Sequence, residues 1–444
     1  MKTTIDILKR YGIAWVLLTV IFVGSLTLVS CLPNKGIKAN VIESVEQLIE
    51  IEPRSHMEEG RNRLDTFMDA MMGNINFFIN PLEPLKSSLM ADYRSSVASG
   101  MFEYRQEIID GEPADASYGR YWHGHLIYNR PLLTFMNHNQ SQVLLFILFF
   151  LLIAVVAYLL FRRLGWKFAL SFLLSILCST PLIIPMLWQY FSVFAVMLVA
   201  CIVLLLKFKK HEYITKLPMF MFIVGAITSF MDLLTAPLVT YGFPLIIAFL
   251  LINKKKYNVS YFKLFLKSSI AWVAGYVVLW ATKWALSDLL YHTSVIKDSI
   301  SHIFAWTAKE QGWVDWNDTL KYEGEVWGYG APAAKWWQPV AYNFQLMFGG
   351  EFSNPPFAEV QHGIITGIAA GIATVAGFWY AIKNSSAFGR IMALIALTPF
   401  AWFLIIKNHS YAHEFFTYRI LSVMIFALLC AVFAAHSGKV SKRS

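Results

Sequence analysis

Asp65 and Asp69 stand four residues apart in RNRLDTFMDAMMGN, the stretch from Arg61 to Asn74, and the spacing predicts that they share one face of a helix. Two carboxylates so placed could take a proton from a hydroxyl or hold a divalent cation such as Mg²⁺ or Mn²⁺, with Glu58 as a further acid nearby. Three other segments carry residues suited to phosphate or hydroxyl groups. Arg120, His123 and Arg130 lie in YGRYWHGHLIYNRP, from Tyr118 to Pro131. Asp232 lies in FMDLLTAPLVTYG, from Phe230 to Gly242, and His409, His413 and Arg419 lie in NHSYAHEFFTYR, from Asn408 to Arg419. A guanidinium is a planar fork that matches phosphate oxygens, and imidazole both donates and accepts.

Each residue also has a structural reading. Asp65 and Asp69 could form the wet face of an amphipathic helix that lays Leu64, Phe67, Met68, Met71 and Met72 against lipid or protein. His123 and His125 could sit among the interfacial aromatics Tyr121 and Trp122, and Arg130-Pro131 could mark the start of a span. Asp232 could cap the turn that follows it, and His413 and Arg419 could pair with loop acids.

The elements that must position these residues are membrane spans. Apolar residues make up 57% of the 444, charged residues only 15%, and there are 35 Phe and 15 Trp, a composition unlike that of a soluble domain. Crossing about 30 Å of hydrocarbon takes roughly 20 apolar residues. Ten segments qualify, near 12–32, 142–161, 168–188, 190–206, 217–235, 237–252, 268–290, 361–382, 391–406 and 420–436. The expected fold is an all-α integral membrane protein with amphipathic helices in a long first outer loop, 33–141. A second outer region, 291–360, holds Trp306, Trp313, Trp316, Trp327, Trp336 and Trp337. These suit either sugar stacking or an interfacial belt, and Gly328, Gly330 and Pro332 suggest an irregular loop.

Lys and Arg concentrate on one side of this topology, at Lys9, Arg10, Arg162, Arg163, Lys167, Lys207, Lys254, Lys263, Lys383 and Arg390. By the positive-inside rule both termini are cytoplasmic and loops 33–141 and 291–360 face out of the cell. The net charge of +9 is this inner-face excess and calls for no nucleic-acid partner. Every histidine except His211 and His436 then falls on the outer side. Cys31, Cys178, Cys201 and Cys430 have no paired spacing, and no Gly-rich phosphate loop, HExxH or GxSxG motif occurs. Few charges lie at the midpoints of the spans, which weighs against a transport path.

The motifs taken in order carry a resemblance that covers nearly the whole chain. They are an anchor, LDxFxDAMMxN, RYWHGxxxxxRPLL, DLLTAPLVTYGFPL and HSYxHxFFTYR. Together they resemble a family of bacterial multi-span proteins found with surface-polysaccharide genes, which in turn is similar to the C-type glycosyltransferase superfamily. The resemblance implies a helical membrane core, an outward-facing site with a catalytic acid in the first outer loop, and a sugar donor carried on polyprenyl phosphate. It also implies a glycan or glycolipid acceptor. Many superfamily members place the acid within a few residues of the first span, whereas Asp65 lies well beyond it. On this reading Asp65 or Asp69 is the base, and Arg120, His123, Arg130, Asp232, His409, His413 and Arg419 bind substrate, with Lys283 a further phosphate contact. The alternatives are a flippase for lipid-linked saccharides and a polysaccharide polymerase or ligase.

Overall fold

The computed structural model describes residues 2–57, 61–207, 212–255, 257, 259–307, 334–349, 360–383 and 386–440. Among them the only strands are the two-residue β1 (Asp92–Tyr93) and β2 (Ala116–Ser117), paired antiparallel. The rest of the regular structure is helical. Eight helices are long and apolar enough to cross a membrane. They are α1 (Lys2–Ser30), α7 (His138–Leu164), α9 (Trp188–Lys207), α10 (Glu212–Met231), α12 (Tyr261–Tyr291), α15 (Val360–Lys383), α16 (Ala387–Ile405) and α19 (Leu421–Val440).

Two of the ten expected spans are shorter. The segment expected to be helical over 168–188 is α8 (Trp166–Cys178), which stops before Thr180-Pro181. Thr180 takes a positive φ of 52°, and Pro181 lacks the amide a continuing helix needs. The other is α11 (Leu238–Lys255), enclosed by α9, α10, α16 and α19, with every residue from Leu238 to Ile252 buried. A helix apolar on all sides belongs in a protein interior, and α11 occupies one.

The basic ends of the helices meet at one end of the bundle, where Arg163 donates to the Leu205 carbonyl and Lys254 to the Arg163 carbonyl. The opposite end carries a cap built mostly from the first loop. It contains α2 (Asn34–Met57), α3 (Thr66–Phe78), α4 (Pro84–Met90), α5 (Met101–Asp110) and α6 (Leu126–Leu133). It is joined by α13 (Val295–Thr307), α14 (Gln338–Gly349), α17 (Lys407–Ala412) and α18 (Glu414–Thr417). Ile37, Val41, Val45 and Leu48 recur on one face of α2 and are fully or almost fully buried, so its hydrophobic stripe lies on protein. Asn137 then starts α7 with a reciprocal capping box to Gln140, while its Nδ2 donates to Glu43 of α2 at 2.7 Å.

The tightest helix pair is α10 with α12. Gly225 faces the Trp272 carbonyl and Gly275 the Phe222 carbonyl, so closely that an added Cβ would come within 2.1 and 2.0 Å of those oxygens. Gly275→Ala is therefore expected to force the two helices apart and to destabilise by about 1–3 kcal/mol. Thermal melting of the solubilised protein reads this directly.

Candidate active site

Asp65 sits at the N-cap of α3, where its Oδ1 accepts the Met68 amide at 3.3 Å. Burial pushes its carboxyl up to about 6, against the charge of Arg63 and the Met68 amide, which pull it down; the nearby Asp69 adds repulsion. It is half-buried, as are Arg63 and, beside Arg63, His413 and Glu414. The Arg63 guanidinium lies over the Phe415 ring, 4.3 Å from its centroid. Its charge reaches Asp65, Tyr190 and His413.

Tyr190, at the start of α9, lies within this cluster. It is fully buried, its hydroxyl has no hydrogen-bond partner in the protein, and it feels the charges of Arg419, Asp65 and Arg63. Arg419 stacks on the Tyr190 ring at 4.4 Å, but its donors are engaged elsewhere. Nε donates to Ser179 O at 3.2 Å, Nη1 to Phe415 O at 2.9 Å, and Nη2 to Thr180 Oγ1 at 3.1 Å and to Arg61 O at 3.4 Å. Arg419 thus ties the broken end of α8 to the segment that leads into α3. The Tyr418 hydroxyl donates to the same Arg61 carbonyl at 3.1 Å.

His409 and His413 are neutral. Burial holds His413 down at about 4, assisted by the charge of Arg63, and holds His409 well below the ordinary imidazole value. The two rings stand 4.8 Å apart, and Trp306 packs on both, at 4.9 and 5.5 Å between centroids. Neutral imidazoles suit hydroxyl groups better than they neutralise phosphate.

One turn along α3, Asp69 has a different environment. It is fully buried, with Oδ2 2.7 Å from His138 Nε2 and its two oxygens 3.1 and 3.2 Å from the Trp188 amide. The side chain therefore caps α9 and grips the start of α7, fixing α3 against both. Asp65 and Asp69 do not form a pair of carboxylates facing one space.

The remaining predicted residues lie elsewhere. Arg130 is fully buried: Nε donates to Val29 O, Nη1 to Asn76 O and Nη2 to Leu32 O, each at 2.9 Å, and Nη2 reaches Asn34 Oδ1 at 2.6 Å. Arg120 pairs with Asp298 at 3.2 Å and lies over the Tyr118 ring at 4.5 Å. Lys283 is buried, donating to the carbonyls of Leu89 and Gly119 and to Ser287 Oγ. His123 Nε2 lies 2.8 Å from the Tyr118 carbonyl, and Asp232 caps the turn that follows α10, its Oδ1 accepting the Thr235 amide at 3.0 Å. Among the described residues no three His, Cys, Asp or Glu groups are placed to hold a metal ion. Glu58, Trp313, Trp316, Trp327, Gly328, Gly330 and Pro332 lie outside the described residues.

Sequence reasoning passed over Arg63, Tyr190 and His138. Arg63 stands two residues before Asp65, and its charge next to an acid is a signal that could have been used. Tyr190 read as part of a short interruption between two spans, and only the fold brings it under Asp65. No protein-family model, curated protein or solved structure matches the chain.

Proposed function

We propose that this chain is a membrane glycosyltransferase that takes a sugar from a polyprenyl-phosphate carrier at the outer face of the membrane. The acceptor is a glycan or glycolipid of the cell envelope. The observation that carries the reading is the cluster at one end of an apolar helix bundle in which a half-buried carboxylate of raised pKa, a cation and a buried, unpartnered tyrosine hydroxyl come together. On this reading the Lys- and Arg-rich end and both termini are cytoplasmic.

The chemistry is a single displacement. The acceptor oxygen attacks the anomeric carbon, Asp65 takes the hydroxyl proton, and the bond from that carbon to the phosphate oxygen breaks with its electron pair leaving on polyprenyl phosphate. Arg63, the accessible cation, offsets the charge that develops on the phosphate. Attack from the opposite face inverts the anomeric configuration. Asp69, walled in by His138 and the Trp188 amide, holds α3 in place and leaves proton transfer to Asp65.

The test is the purified protein in liposomes with a panel of polyprenyl-phosphate sugars and an acceptor mixture. Consumption of one lipid sugar with inversion supports the reading, and retention sinks the single displacement. If labelled lipid-linked saccharide changes leaflet without being consumed, the protein is a flippase.

Arg63→Gln supplies an independent check. Because Arg63 holds the Asp65 carboxyl down, its loss should move the acidic limb of the pH–rate profile to higher pH. It should also raise KM for the lipid donor by about ten-fold or more, from the loss of a charged contact.

A further inference from the structure

At the Lys- and Arg-rich end of the bundle, the starts of α12 and α16 border a groove of about 470 Å³, a volume in the range of ligand sites. Val259, Ser260 and Phe262 line it from one side, and Arg390, Ile391 and Leu394 from the other. It follows α16 from Ala387 to Leu394, two turns, or about 10 Å along a membrane span at 1.5 Å per residue. Arg390 therefore stands one turn nearer the helix end than Leu394, so a cation sits toward the mouth and hydrocarbon lies deeper.

The surrounding charge has one sign. Between Ile252 and Ser268 the chain carries Lys254, Lys255, Lys256, Lys263 and Lys267, between Lys383 and Leu394 it carries Lys383 and Arg390, and neither stretch contains an acid. Lys254 donates to the Arg163 carbonyl, and Lys383 lies over the Trp379 ring, 4.1 Å from its centroid. The Arg390 side chain is exposed, and among the described residues it has no hydrogen-bond or ion-pair partner. A guanidinium left open among cations calls for an anion, and its planar fork matches phosphate oxygens.

The walls narrow the choice further. Phe262 is 59% exposed at the groove, and Ile391 and Leu394 continue its apolar lining. Inorganic phosphate would leave that surface uncovered, whereas a phospholipid supplies a phosphate for Arg390 and an acyl chain for the apolar wall. A zwitterionic head would bring its own cation against Lys263 and Lys267, both exposed, so the complementary head is net negative.

We propose that this groove binds one anionic glycerophospholipid from the bilayer, its phosphate on Arg390 and an acyl chain along Phe262, Ile391 and Leu394. The site shares no residue with the Asp65 cluster and does not depend on the transferase reading; its place in the cytoplasmic leaflet rests on the topology proposed above.

The experiment is native mass spectrometry of the full-length protein released from detergent, titrated with dioleoyl phosphatidylglycerol or dioleoyl phosphatidylcholine, with inorganic phosphate as competitor. One phosphatidylglycerol is expected to be held about five-fold or more tightly than phosphatidylcholine, without displacement by phosphate. Arg390→Gln removes the cation, and Ala387→Trp fills the groove from an exposed position of its wall. Each should weaken the phosphatidylglycerol by about five-fold or more while the protein stays monodisperse, since neither native side chain is buried. Arg162→Gln, which removes an exposed cation from the last turn of α7 at the same end of the bundle, should leave it unchanged. Equal retention of the two lipids, displacement by phosphate, indifference to either groove variant, or an equal loss in Arg162→Gln would each overturn the proposal.

Discussion

Asp65→Asn should abolish consumption of the lipid-linked donor, lowering kcat by about 10²–10⁴, the usual contribution of a general base. The folded protein should persist. Asparagine caps a helix as well as aspartate does, so α3 keeps its start. The effect on stability has a definite sign. The folded chain holds the Asp65 proton up to about pH 6 and the unfolded chain only to its ordinary 3.8, so between these values the unfolded state binds fewer protons. Stability therefore falls as pH rises through that window, and the penalty remains at neutral pH. Asparagine never ionises, so at pH 7.5 the variant should melt at or above the temperature of the native protein while inactive. A variant that loses activity together with its melting transition would identify Asp65 as a structural cap only. On the proposed mechanism, activity of the native protein should rise with pH through about 6 as the carboxylate forms.

Arg130→Ala should act in the opposite way, on the fold rather than the rate. One guanidinium joins the end of α1 through Val29 and Leu32, the start of α2 through Asn34 and the end of α3 through Asn76. Removing it leaves buried acceptors without donors, and mutations of this kind cost on the order of 3–5 kcal/mol. The expected result is a large drop in the yield of monodisperse protein on size exclusion. Arg130→Lys, with three donors on a single nitrogen, should recover only part of it. If Arg130→Ala folds normally and instead loses donor affinity, the arginine binds substrate.

The contrast between Asp65 and Arg130 shows what was legible in the sequence. Hydropathy located the spans, because burial in lipid demands long apolar runs; α1, α7 and α12 fall where the runs do. It overstated the third span, where Thr180-Pro181 breaks a run whose average hydropathy stays high. The motifs located chemically able residues, yet residue type does not reveal which neighbour claims each donor. Arg130 and Arg419 look like phosphate ligands on paper and are held by backbone carbonyls in the fold. Asp65 and Asp69 share a helix turn, but one is half-buried beside Arg63 and the other is fully buried against the first residue of α9. Tyr190 sits in a hydrophobic segment, and nothing local marks it as part of a polar cluster. Those assignments depend on contacts between residues more than 100 positions apart, such as Asp69 with Trp188, and no local pattern encodes them.

The enclosed position of α11 sets an order on biosynthesis. Its early neighbours, α9 and α10, precede it in the chain, whereas α16 and α19 follow it. Until the ribosome has passed residue 440, one flank of α11 has only lipid to lie against. The apolar surface that later packs against protein also lets this helix wait in the bilayer. Chains truncated before α16 should therefore remain membrane-inserted yet expose the α11 flank, a natural target for quality-control proteases.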